Sequence, residues 1–505
     1  DGLRTEIAAR MPSSSDDQET TYTFGTTKGT GTNDSKIATG HLLYKIVYPG
    51  ATSEDDGELF AYNAQSQVIK KKVGDLGTPT VNVLEWGFDD RGREEHERAT
   101  TSASGFDTAV LRISTAYTDL GQVESVTQYD NATVGSGSIV DEVEYAYDGW
   151  GNVTSFKQDR DSAVASSGGN EYEVTYEYEK ATSGRNTIRR KKKVLPDGQD
   201  YLYVFSGYGD LHDRDLSRVS QIREGTSTIL VKYDYLGLGT VIGTTLEEPD
   251  IFQKRYSGST YPDLDRWNRI ISDRWTKDLA TDRDFHDLDL SYDYSSNITS
   301  VVDNVQTGFD RVYSIDDVDR VTRQDEGTES GGSITSRTRD QQWTLDHVGN
   351  WDVEKLDLDG DGSFTGTDEH QDDRSHDKVN QLTARDTDDN GTDDHTLSYD
   401  VVGNLTDDDE DHEYVYDVWN RLREVLDTGD QSLIAEYRYN GLRYRIAEHV
   451  DTDDDGDVDA NDDWHYFAND TSWREVGMFV GSDTAPTKQY LHHNAGRDGR
   501  GSSSY

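Results

Sequence analysis

The chain has no cysteine, 7 prolines and 2 methionines among 505 residues, and its 50 basic residues stand against 100 acidic ones. Without Cys there is no disulfide, thiolate metal site or cysteine nucleophile, and the redox compartment leaves no mark. Scarce Pro suits long hydrogen-bonded ladders, because each Pro removes a donor. A formal net charge of -50 repels phosphate backbones and anionic headgroups, which excludes nucleic acid as a partner and polybasic attachment to membranes. No apolar run approaches the ~18 residues of a spanning helix, so membrane insertion is not expected. Helical periodicity is almost absent. The chain opens on Asp1 with no charged-then-apolar leader, and reads as an internal segment of something longer.

Aromatic residues are plentiful at 10 %, with 30 Tyr, and Gly is frequent at 46. Disordered acidic tails lack such aromatics, so a folded chain with a charged exterior is expected. The dominant pattern is Tyr-Asp, two variable residues, then Gly-Asn or Asn-Arg and a β-branched residue or Leu. Clear copies are Tyr147-Asp148-Gly149-Trp150-Gly151-Asn152-Val153, Tyr399-Asp400-Val401-Val402-Gly403-Asn404-Leu405 and Tyr416-Asp417-Val418-Trp419-Asn420-Arg421-Leu422. Looser copies start at Tyr62, Phe88, Tyr233, Tyr292, Ile315, Leu345, His376 and Tyr439. Asp or Asn bonds the backbone two residues on, and the Gly or Asn that follows tolerates positive φ, so each copy predicts a strand, a tight turn and a returning strand. Flanking segments alternate with period two: Val174, Tyr176 and Tyr178 against Glu173, Thr175, Glu177 and Glu179. One face is then aromatic and the other charged, a half-buried antiparallel sheet.

These copies resemble the YD-repeat, or rearrangement-hotspot (Rhs), family over roughly residues 42–495. The resemblance implies an all-β fold: antiparallel β-hairpins wound into a spiralling sheet that forms a partial hollow shell, with residues 1–41 an irregular opening segment and 496–505 a flexible tail. Family members include polymorphic-toxin carriers, whose shell often surrounds a C-terminal toxic domain and continues into a core segment with self-cleaving aspartate chemistry. That segment should begin near Tyr490-Leu491-His492-His493, and the Gly/Ser/Arg-rich tail stands there instead.

Two segments carry calcium-loop spacing. In the first, Asp357, Asp359 and Asp361 fall at positions 1, 3 and 5, Gly360 and Gly362 provide the turn, Ser363 stands at 7 and Asp368 at 12. In the second, Asp451, Asp453, Asp455 and Asp457 alternate likewise, with Asp459 at 9 and Asp462 at 12. Calcium takes six to eight oxygens at flexible geometry, so alternate acids point inward, Gly makes the sharp turn and position 7 offers its carbonyl. These resemble EF-hand or dockerin-type loops without the flanking helices, and Ca2+ is the expected cofactor. A third stretch, Asp386-Thr387-Asp388-Asp389-Asn390-Gly391, has only the first six positions and is read as an acidic turn.

Other patterns carry less. Gly237-Leu238-Gly239-Thr240-Val241-Ile242-Gly243 mimics a dinucleotide fingerprint, but no helix follows it. His96-Glu97-Arg98-Ala99-Thr100 lacks the second His of a zinc protease. The basic run from Arg189 to Lys193 is read as cations opposing an acidic strand that holds Glu177 and Glu179. Acid pairs are too many for one to be an acid–base couple, so no enzymatic activity is expected. The expected function is a secreted or surface-exposed, monomeric shell segment that encloses or presents a C-terminal cargo domain. The alternative is an adhesion module for glycans or partner proteins.

Overall fold

The structure, a computed structural model, describes residues 2–13, 17–31, 34–50, 56–76, 81–166, 170–180, 188–205, 211–257, 260–278, 281–366, 369–452, 458–459 and 461–492. Among them are 38 strands and one short helix, Leu211–Leu216. Twenty-eight strands form one sheet and ten form a second. Nearly every strand pairs antiparallel with its neighbour in sequence, as Ile139–Tyr147 does with Val153–Asp159, and that strand with Glu171–Lys180. The product is a long ribbon with strands running across it.

The connections alternate between two rims. One rim holds the five-residue turns of the repeat, apart from the turn at 195–199, and the other holds longer loops such as 130–138, 304–309 and 387–394. The segment 1–41, expected to be irregular, instead carries Glu6–Ala9 and Gln18–Thr26, which pair with each other. The alternation of Gln18–Thr26 (Thr20, Tyr22, Phe24) suffices to place it in the sheet.

The ribbon winds over itself. Gln18 donates to Asn380, Arg423 to Asp107, Gln128 to the Tyr439 carbonyl and Gln158 to the Phe467 carbonyl; Lys193 pairs with Asp470, and Tyr201 donates to Gln489. Both members of these pairs rise together along the chain, at separations of 362, 316, 311, 309, 277 and 288 residues. A second lap therefore lies alongside the first in the same sense. In each of the first three contacts a turn of the second lap, or the strand end beside it, meets the loop rim of the first. At the start of the joint, Phe106–Asp107 leaves the first sheet and pairs parallel with Tyr416–Asp417.

Along Glu171–Lys180 the predicted alternation holds, with Tyr172, Val174 and Tyr176 buried. They belong to an apolar cluster running from Ala99 to Tyr233 in the first lap and from Val418 to Phe479 in the second. Between Ser272 and Thr396 the aromatic face gives way. There the buried apolar residues are Val301 and Ala384, and buried acids such as Asp340 and Asp372 take the other inward positions. Arg323 bridges Asp325 and Asp340, and Arg374 and Arg385 converge on Asp372. No second lap covers this stretch, so cross-strand ion pairs replace apolar packing there.

Candidate functional site

The repeat turn has one geometry throughout. In the turn after Tyr147, Asp148 Oδ1 accepts the backbone N–H groups of Trp150 (2.8 Å) and Asn152 (2.9 Å), and Oδ2 accepts the Asn152 amide at 2.9 Å. Gly151 N–H donates to the Asp148 carbonyl, and Gly151 holds a φ of 84°. This is a type I turn closed by a residue in the left-handed region, the three-residue hairpin solution. With Arg as the fifth residue the chemistry is unchanged: Asp316 Oδ1 accepts from Val318 and Arg320 N–H, and Oδ2 accepts Arg320 Nε at 2.7 Å. Asparagine hydrogen bonding holds the Asp148 carboxyl below its ordinary range, as the Arg320 backbone and guanidinium do for Asp316.

Each turn is also tied to its neighbours. The fifth residue reaches forward: Gln67 donates to the Gly92 carbonyl at 2.7 Å, Arg269 to Asp293 at 3.0 Å, Arg320 to Asp346 at 2.8 Å and Arg421 to Asn440 at 3.2 Å. The Tyr before the turn reaches back, its hydroxyl donating to the strand leaving the previous turn: Tyr117 to Glu94 (2.7 Å), Tyr147 to Val123 (2.7 Å), Tyr292 to Ile270 (2.6 Å) and Tyr399 to Leu382 (2.8 Å). Where the fifth residue is Arg it lies over the next Tyr ring, as Arg93 does over Tyr117 at 4.1 Å and Arg269 over Tyr292 at 4.5 Å. The repeat is thus a two-way staple between consecutive hairpins. The sequence reading took Tyr for its apolar ring alone and missed the hydroxyl.

Turns with this geometry also start at Thr118, Leu195, Asp265 and Asp470, whose positive-φ residues are Gly121, Gly198, Asn268 and Trp473. In the other direction, Tyr233-Asp234 is not a turn. Asp234 lies within Thr228–Leu236 opposite Gly243, and the chain reverses between Leu236 and Thr240.

The joint between laps is the most enclosed polar region. Asp417 and Arg421 form a buried pair at 2.6 Å, and Arg421 also reaches Gln128 across the joint. Gln128, Asp141 and Gln158 are wholly enclosed. Gln128 donates to one Asp141 oxygen, while Asp141 Oδ1 and Gln158 Oε1 have no donor. Burial pushes the Asp141 carboxyl up to about 7. A Cβ on Gly441 would lie 2.6 Å from Val126 Cγ1 and 3.3 Å from Ile113 Cγ2, so this turn needs glycine to seat.

The three acidic loops all lie on the loop rim. Carboxylates of Asp357, Asp359, Asp361 and Glu369 come within 4.8 Å of one another. Asp357 is buried, and its oxygens accept the N–H groups of Asp359, Gly360 and Gly362, which curls the loop. Ser363 donates its N–H to Asp361 at 2.7 Å. Asp368 lies outside the described residues, and Glu369, one step beyond the expected twelfth position, supplies the fourth carboxylate; its buried Oε2 has no hydrogen-bond partner. Asp386, Asp388 and Asp394 gather in the same way, in the stretch read as a plain turn. In the Asp451 loop, Asp453, Asp455 and Asp457 lie outside the described residues. Asp462 accepts Thr452 N–H and Oγ1 (both 2.7 Å) and Asp459 N–H (3.0 Å), which holds its carboxyl down at about 2. Asp462 therefore ties the loop shut. The donor sets fit a hard cation best at Asp357, where oxygens converge and one is unpartnered.

Among the other candidates, Arg189 pairs with Glu179 and Lys192 with Glu177, as expected of opposed strands. His492 bonds the Glu475 carbonyl, and His493 lies outside the described residues.

No protein-family model and no curated protein matches the chain. Solved structures do. TcdB2-TccC3 without its hypervariable C-terminal region aligns with a TM-score of 0.56 at 11 % identity, over 97 % of this chain and 26 % of that one. The fold is shared with TcdB2-TccC3. A second TcdB2-TccC3 structure gives 0.53 at 11 % identity over 94 % of this chain and 25 % of that one. The Photorhabdus luminescens Tc holotoxin pore with a TccC3 substitution gives 0.54 at 11 % over 93 % and 24 %. The chain thus spans about a quarter of the length of each TcdB2-TccC3 chain, and the likeness agrees with a YD-repeat shell. Among the described residues, no helix is long and apolar enough to cross a membrane.

Proposed function

We propose that the chain is a non-enzymatic wall segment of a secreted or surface-exposed YD-repeat protein, enclosing or presenting C-terminal cargo such as a toxin domain. The observation that carries this reading is the lap joint: a ribbon that seats its turn rim on its own loop rim makes a wall without an open edge along that line. Staples between consecutive turns stiffen the wall along the ribbon, and the joint stiffens it across. The fold shared with TcdB2-TccC3 supports the cargo, because one of those structures is described as lacking a hypervariable C-terminal region.

The acidic loops fit this role as Ca2+ sites. Asp357, Asp359, Asp361 and Glu369 would hold the ion, which would neutralise carboxylates that repel one another and fix the loop rim. Millimolar extracellular calcium matches the affinity of such loops. The test of enclosure is limited proteolysis of the parent polypeptide. A cargo domain is expected to be digested much more slowly when joined to the folded shell than when free. Equal digestion rates would remove the enclosure reading.

A further inference from the structure

The third residue of a repeat turn stands at its tip, and in the second lap this position docks in the Asp417 and Asn440 turns. Trp419 occupies it in the Asp417 turn and is 7 % exposed, seated among the core residues of the first lap. Leu442, the same position of the Asn440 turn, packs against that core too. In the first lap this position is polar at Gln65, Arg91 and Ser295, but apolar and bare at four turns: Leu120 is 86 % exposed, Trp150 79 %, Trp267 56 % and Val318 68 %. Consecutive turns are two strands apart, about 10 Å, so these side chains form an interrupted row along one edge. Large apolar side chains gathered on one rim mark a contact surface more often than scattered ones do.

We propose that this row docks a second copy of this chain, turn rim against loop rim, repeating between molecules the step that the joint makes within one. Three observations favour that occupant. The internal joint shows that this chain's turn rim fits a loop rim of this chain. The part of the loop rim that no second lap covers carries exposed apolar residues of its own, Val305, Phe309 and Leu358. Arg91 and Arg266, exposed on the turn rim among acids such as Asp90, Asp119, Asp317 and Asp319, are the cations there that can meet Asp359 and Asp361 of the loop rim. The two surfaces differ, so the contact is head-to-tail and adds molecules in one direction.

The net charge of -50 works against it. That repulsion is screened over about 10 Å at 0.1 M salt but about 3 Å at 1 M. Docking therefore strengthens with salt. Sedimentation velocity of the intact chain at about 0.1 M and about 2 M NaCl tests this. The expected result is a monomer at low salt and concentration-dependent dimers and larger stacks at high salt. Trp150→Asp with Trp267→Asp should weaken association roughly tenfold or more, and Phe309→Asp with Leu358→Asp should do the same. Mixing these two variants should restore a dimer that does not grow, because each keeps one intact rim. Trp150→Gln with Trp267→Gln serves if the acidic pair lowers the melting temperature. A wild-type chain that stays monomeric at both salt concentrations would overturn the proposal, as would association that none of the substitutions changes.

Discussion

The Lys193 ammonium and the Asp470 carboxylate, 277 residues apart in sequence, meet at 3.3 Å with both side chains fully enclosed. Burial pushes Lys193 down to about 8. Burial opposes the Asp470 charge as well, but Lys193 and Arg474, the latter at 3.1 Å, hold its carboxyl below the ordinary range. The two partners are unequal. Asp470→Asn strands a buried ammonium and should cost roughly 3–5 kcal/mol. Lys193→Met leaves Asp470 paired with Arg474 and should cost less. Urea unfolding of the two variants measures the order, and an equal or reversed order contradicts the pairing.

The repeat turn predicts its own mutational pattern. Asp316→Ala removes an acceptor for two backbone N–H groups and the Arg320 guanidinium, and should destabilise by about 1–3 kcal/mol. Asp316→Asn, which keeps the Oδ1 acceptor, should recover part of that loss. Tyr292→Phe deletes only the bond to the Ile270 carbonyl and should cost roughly 1 kcal/mol. Denaturant midpoints at constant slope would check all three.

Much of this turn chemistry was legible in sequence, because an Asp three residues before a Gly or Asn is a local signal. Thr118, Leu195, Asp265 and Asp470 escaped for local reasons too: either the first residue is not an acid, or no aromatic ring precedes it. Tyr233-Asp234 misled because Gly237 lies at the motif's glycine position, while the strand continues to Leu236. The joint was not legible. Nothing near Lys193 announces Asp470, and the basic run looked complete with Glu177 and Glu179 as partners. The Asp357 loop was half legible: Asp357, Asp359 and Asp361 come together as their spacing demands, but the fourth carboxylate comes from Glu369, just before the return strand that begins at His370.

Asp141 gives the joint a pH dependence. Its folded pKa, about 7, lies above that of an exposed carboxyl because burial disfavours the charge. An acid raised in this way destabilises the fold when ionised, so the penalty is absent below its unfolded value, grows with rising pH and is complete above about 7. Asp141→Asn removes the ionisation while keeping an oxygen to accept from Gln128. Its melting temperature should exceed that of the wild type at pH 8, with the gap closing towards pH 4. A gap that does not vary with pH would contradict this assignment.

The Ca2+ assignment predicts a melting-temperature rise with calcium that magnesium does not reproduce and chelator reverses. Asp359→Asn with Asp361→Asn should remove most of that rise and leave the metal-free melting temperature nearly unchanged, because both residues are exposed. Equal curves in calcium, magnesium and chelator would end the assignment.

The central claim is that the ribbon seats its second lap on its first. A chain without cysteine allows a clean test. Val126→Cys and Gly441→Cys place one thiol in each lap, and replacing Val126 removes the Cγ1 that a Cβ on residue 441 would otherwise meet at 2.6 Å. On mild oxidation of the folded double variant, peptide mapping should find an intramolecular 126–441 disulfide in nearly all molecules. Two free thiols in a chain that remains folded would contradict the winding on which the shell depends.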